Sequence, residues 1–429
     1  MNFKGYDFEF ATRSGPGGVF TFPATRLAGR GATESRERPT RSLSLVLPAN
    51  NQGKPITEDV AVALRKLVLG QCPAVVRCEF FTQGPGLIFR EHGHPLAYAL
   101  AITNPSTTPM LRALVMTIQA QILRTLLFDS AILKLPKTCN PLMPTTVTIQ
   151  QEALACAIAN IIWKAGNGQS AILCLPQANV VHVVGSPQFN EDGLTEKLQL
   201  CPMSRIEDLH QTVRRNIHVF QEDPGPALML ILYSAILTRG VEQVTEDLGK
   251  PTGGDGILTP VKCLLNINGS ISFSPISLFV LGRASPFLHN GVQYQEDGQG
   301  CTTEETGVLI RSSIGLLVWM GNEAKTSTYN VGSRLKTPTV PIWIVIASEQ
   351  SGVLFGEDKV ILRDHQAENR FQLYYHTSTF HQQNPMILKI NNRSRDDSII
   401  DAPVPTLEKL IRTKWGDARI DWGGVEPFV

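Results

Sequence analysis

Two long apolar segments with helical spacing constrain this chain more than any other feature, because helices of that kind have to be buried. Leu111, Leu114, Val115, Ile118, Ile122, Leu126 and Leu127 recur at intervals of three and four, which lines them along one helix. Thr108 stands where a cap belongs, and Pro109 falls in the first turn, where its missing N–H costs nothing. A second helix is expected from about 148 to 165, with Leu154, Ala157, Ile158, Ile161 and Ile162 on one face and Gly166 and Gly168 to stop it. Arg205 to Phe220 reads as a third. Pro55 to Gly70 reads as an earlier one, with Thr57 as N-cap and Glu58 and Asp59 at the positive end of its dipole.

Val340 to Ile346 is a continuous apolar run with a proline near its start, the pattern of a buried strand. Val353 to Phe355, Phe371 to His376 and Met386 to Ile390 suggest further strands, and Ala74 to Ala101 a mixture of strands and turns. Thr252 to Ser274 and Phe287 to Thr306 look like loops with short elements between. No repeat or heptad occurs, so the expected fold class is α+β. One large domain over residues 46–429 should follow a flexible Gly-, Arg- and Ser-rich arm at 1–45.

Composition excludes several roles. Apolar residues are 42% of the 429 and the net charge is +1, so nothing draws the chain globally to nucleic acid or an anionic membrane. The run from Ala227 to Leu237 is shorter than the roughly 20 residues of a membrane span. With no secretory leader at Met1, the eight cysteines read as reduced thiols in an intracellular protein, cytoplasmic or nuclear. They show no zinc-ligand spacing, and no cofactor or metal is expected. The sequons at Asn268 and Asn392 should then go unused. Gly249 to Gly254 is not a phosphate loop, because no Gly-Lys-Ser/Thr follows.

Several motifs stand in an order that resembles one family. They are Pro55–Glu58, Ile161–Gly166, Ser234–Leu237, Pro341–Val345 leading into Ser348 and Glu349, Leu362–Asp364, Leu373–Tyr375, and Arg412–Trp415 followed by Trp422 and Gly423. The chain resembles the MINDY deubiquitinases, most closely their fourth branch and within it a catalytically inactive member. The resemblance implies a cysteine-protease-like domain and ubiquitin or lysine-48-linked polyubiquitin as partner. In active relatives a Gly-Gly-Pro-Cys motif opens a long helix, a Gln shortly before it serves the oxyanion, and a His after the Pro-Ile-Trp strand is the base.

Carried onto this chain, the nucleophile position falls on Met110 if the prolines are aligned, or on Arg112 if the helix is. The base falls on Gln350 and the oxyanion Gln on Ile102 or Thr103. None can do the corresponding chemistry, and loss of a nucleophile or base removes on the order of 10⁶-fold of rate in a serine protease. The expectation is therefore a chain that is not an enzyme. The alternative is an active cysteine-type deubiquitinase with rearranged residues, which needs a thiol and an imidazole within about 4 Å. A scaffold that no longer binds ubiquitin is a third class.

Other candidates read blandly. Ser106, Thr107 and Thr108 suit a helix cap, while Cys156, Cys174 and Cys263 lie in apolar stretches and read as core. Cys72 and Cys301 have no histidine implied nearby. His365, His376 and His381 beside Asp364 read as surface residues, and His92 and His94 as part of a polar turn.

Overall fold

The structure is a computed structural model. It describes residues 53–424 except 71–79, 130–141, 143–145, 178–179, 185–188, 250–262, 297–301, 322–329, 378–380, 393–403 and 417. The flexible arm expected at 1–45 lies outside the described residues, as do Cys72 and Cys301.

The expected helices are present as α1 (Glu58–Leu69), α2 (Pro109–Phe128) and α3 (Val147–Ala165). Thr57 and Thr108 occupy the N-cap positions of α1 and α2, but neither side chain makes a capping bond. Thr146 does cap α3, accepting from the Ile149 N–H at 3.3 Å. α2 is apolar on most sides, and a helix of that kind belongs in a core. It is long and apolar enough to cross a membrane, yet 78% of the apolar window is buried inside the protein.

The helix expected at Arg205–Phe220 is two. α4 (Ile206–Arg215) ends at Asn216, and a single turn, Ile217–Phe220, follows. The Asn216 side-chain amide donates to the Thr212 carbonyl at 2.9 Å, joining the backbone N–H on the same acceptor and favouring a helix end there. Further on come α5 (Ala227–Arg239), α6 (Val241–Asp247), α7 (Phe273–Leu281) and α8 (Thr406–Arg412).

β1 (Lys54–Pro55), β2 (Ala171–Pro176) and β3 (Leu198–Met203) form a small sheet in the order β1-β3-β2, with β2 packed on α5. The stretch Phe287–Thr306, read as loop, contains an antiparallel hairpin of β4 (Val292–Glu296) and β5 (Thr302–Thr306). Its strands are nearly all polar, so no apolar alternation announces them.

The main sheet holds β6 (Gly315–Trp319), β7 (Ile342–Ala347), β8 (Gln350–Phe355), β9 (Arg370–Thr377), β10 (Met386–Asn391) and β11 (Arg419–Asp421). The order is β11-β10-β9-β8-β7-β6, antiparallel except for the parallel β6–β7 pair. The run Val340–Ile346 is apolar throughout because β7 is covered on both faces. Ile342, Ile344 and Ile346 join the core under α2, whereas Trp343 and Val345 join a second core with Leu407, Leu410, Ile411 and Trp415. The fold is thus mixed α+β, with the sheet between a helical layer and the C-terminal segment.

Candidate functional site

The positions that the family resemblance points to sit at the start of α2 and at the β7–β8 turn. Met110 is fully buried. Its backbone N–H donates to the Gly269 carbonyl at 3.0 Å, and its thioether sulfur accepts from the Ser272 N–H at 3.1 Å. Residues 266–272 therefore lie over the opening turn of the helix. Arg112 turns back on the preceding loop, where its guanidinium donates to the Thr107 carbonyl at 2.9 Å and to the Pro105 carbonyl. Ile102 is buried and apolar, while Thr103 donates to Asp223 Oδ2 at 2.6 Å. Gln350 is exposed at the start of β8, two residues after Ser348, whose φ of 55° is rare for a residue with a side chain. Among the described contacts no hydrogen bond joins Met110 or Arg112 to Gln350.

Gly269 makes the covering loop testable. Its φ is +73°, and an added Cβ would come within 2.7 Å of the Thr108 Cβ. Gly269→Ala should cost about 1–2 kcal/mol from the backbone alone, read as a lower urea midpoint at unchanged slope. An unchanged midpoint would mean that the loop does not rest on the helix start.

A second constellation lies between α3 and α4. Glu152 and Cys156 are four residues apart on α3, and His210 and Arg214 are four apart on α4, so each pair shares a face. The two helices pack together. Cys156 Sγ is 3.2 Å from His210 Nε2, which is 3.1 Å from Glu152 Oε1. Arg214 Nε holds the other carboxylate oxygen at 3.1 Å. Cys156 is buried, while the other three side chains are 24–30% exposed. Burial, then the charges of Glu152 and Asp129, push the Cys156 thiol up to about 12. The thiol thus rests protonated, sharing one imidazole nitrogen with the Glu152 carboxylate.

Cys156 is core, as its apolar helix implied, but among the described cysteines it also meets an imidazole. The signal available in the sequence was the i, i+4 pairing of Glu152 with Cys156 and of His210 with Arg214. The other thiols read as core differ: Cys174 is fully buried, while Cys263 is half-buried. His376 is not a surface residue. It lies on β9 with no exposure, its Nε2 3.4 Å from the Leu100 carbonyl, because the strand's alternation turns it inward under Tyr98. His365 and His381 are exposed. His94 holds a turn, accepting from the Leu96 N–H at 3.0 Å.

These features define a mixed α+β domain that carries a thiol–imidazole–carboxylate cluster away from the helix start. The conserved-domain model of the deubiquitinating enzymes MINDY-3/4 matches residues 65–424, and the chain belongs to that family. It is 29% identical over 392 residues to the probable ubiquitin carboxyl-terminal hydrolase MINDY-4 of Bos taurus, covering 90% of this chain and 48% of that protein. Against the protein of the same name from Xenopus tropicalis the identity is 30%, over 91% and 49%. A shorter match, 27% identical over 35% of this chain and 30% of the relative, is to the ubiquitin carboxyl-terminal hydrolase MINDY-3 of Danio rerio. The chain spans about half the length of its MINDY-4 relatives. No solved structure matches it.

The family overturns the expectation of a chain that is not an enzyme. Its relatives are named as hydrolases and its domain as that of deubiquitinating enzymes. That expectation rested on which residues stand at the nucleophile, base and oxyanion positions; the alternative weighed beside it, an active cysteine-type deubiquitinase, agrees better with the family.

Proposed function

We propose that this chain is the hydrolase domain of a cysteine-type deubiquitinase with rearranged catalytic residues, acting on ubiquitin conjugates or lysine-48-linked chains. The observation that carries this reading is the 3.2 Å approach of Cys156 Sγ to His210 Nε2, with Glu152 3.1 Å from the same imidazole. Met110 (or Arg112), Gln350 and Ile102 (or Thr103) then mark places that the chemistry has left. With ubiquitin as substrate, the site of action is intracellular.

In this mechanism the thiol gives its proton to His210 as the sulfur adds to the carbonyl carbon at the ubiquitin C-terminus. The imidazolium is held by the Glu152 carboxylate. The C–N bond then breaks, and the amine leaves with the proton from His210. Water hydrolyses the thioester, restoring the thiol and freeing the ubiquitin carboxylate. A buried thiol with a raised pKa keeps little thiolate at rest, so proton transfer and attack have to be coupled.

Ubiquitin carrying a C-terminal electrophile should label the metal-free, reduced protein at Cys156, and Cys156→Ala should abolish both the adduct and lysine-48 chain cleavage. Labelling at another thiol would move the nucleophile. Neither adduct nor cleavage by the wild-type chain would overturn the hydrolase reading.

A further inference from the structure

We propose that Glu152, Cys156 and His210 form a binding site for a soft divalent cation of the Zn²⁺ class. One ligand atom from each lies within 4.8 Å of the others. A thiolate, an imidazole and a carboxylate are a set that zinc accepts, whereas the hard cations Mg²⁺ and Ca²⁺ favour oxygen ligands.

The distances fit. Bonds of about 2.3 Å to sulfur and 2.0–2.2 Å to nitrogen and oxygen set S···N near 3.6 Å and N···O near 3.4 Å around a tetrahedral ion. The observed 3.2 and 3.1 Å need to open by only a few tenths of an ångström. Both sulfur and carboxylate face the same ring nitrogen. Sulfur, nitrogen and oxygen are thus gathered about one ring nitrogen, a juxtaposition that a cation would bridge.

The surroundings support the same assignment. Arg214 fixes the far oxygen of Glu152 and leaves Oε1 toward the site, the part an outer-shell partner plays at metal centres. Thiolate plus carboxylate neutralise a 2+ charge, with one proton released on binding. Three protein ligands leave the fourth position to water. The site does not depend on Cys156 cleaving anything. If the hydrolase reading holds, the cation takes the electron pairs that cleavage uses and acts as a brake.

The test uses the full chain, reduced and stripped of metal. Co²⁺ should produce a thiolate-to-cobalt charge-transfer band, and Zn²⁺ competed against a chromophoric chelator should bind one equivalent tightly. Cys156→Ser should lose the band. His210→Ala, at a position 24% exposed, should weaken Zn²⁺ by roughly 100-fold or more, beyond the 10–100-fold typical of losing an outer-shell partner. An absent band in the wild type, a full band in Cys156→Ser, or unchanged affinity in His210→Ala would overturn the site. The two readings fail separately. A cobalt band without ubiquitin labelling rejects the hydrolase alone, and labelling at Cys156 without a band rejects the metal alone.

Discussion

Trp343→Ala should lower the stability of this domain by about 3–5 kcal/mol, a large part of the roughly 5–15 kcal/mol that holds a domain folded. Trp343 has no exposure at all. Its ring meets Trp415 edge to face at 5.5 Å, and its indole N–H donates to the Lys336 carbonyl at 2.9 Å. On the other side Gly315 of β6 comes so close that an added Cβ would overlap the indole. The alanine variant therefore opens a cavity between two rigid strands and α8, and strands already paired cannot close it. It also leaves a part-buried carbonyl without its donor. Urea unfolding should show a reduced midpoint at an unchanged slope. A loss under about 1 kcal/mol would mean that the second core is not packed as described.

The second large effect is a loss of stability in acid that belongs to His376. Burial holds its imidazole down at about 4, against the ordinary 6.5, and the Arg90 guanidinium adds to the effect. Between those values the unfolded chain takes up a proton that the folded chain refuses, so stability falls as pH falls from 6.5 to about 4. At 1.36 kcal/mol per pH unit the full loss is about 3 kcal/mol. Above pH 6.5 both states are neutral and the effect vanishes. Carboxylates titrate in the same range, so the quantity to measure is the difference between wild type and His376→Gln, followed from pH 7 to pH 4. A difference that does not change with pH would show His376 to be solvated in the folded chain.

Much of the architecture was legible in the sequence. Helical spacing placed α1, α2 and α3 to within a few residues, because amphipathic periodicity reports local structure. The apolar run around Trp343 announced a strand covered on both faces. The hairpin β4–β5 was not legible because its strands are polar, and the break at Asn216 turned on one side-chain amide bonding the Thr212 carbonyl.

The C-terminal motif shows the limit more sharply. Arg412–Trp415 and Trp422 carried the family resemblance, but spacing did not tell what they do. In the fold they pin the second core. Trp415 Nε1 donates to Glu368 at 2.8 Å and Trp422 Nε1 to Glu408 at 2.7 Å, while Arg412 bonds the Ala418 carbonyl at 3.1 Å and Glu408 at 3.1 Å. These residues hold the sheet and touch no candidate chemistry.

The sequence by itself determined the family, the α+β class and the residues at the start of α2 and after β7. It also determined that Glu152 and Cys156, like His210 and Arg214, share a helical face. Only the tertiary structure decided that the two faces meet and set a thiol 3.2 Å from an imidazole. Spacing along a helix fixes which side chains point together, but which helix that face packs against depends on long-range burial, and no local pattern encodes that.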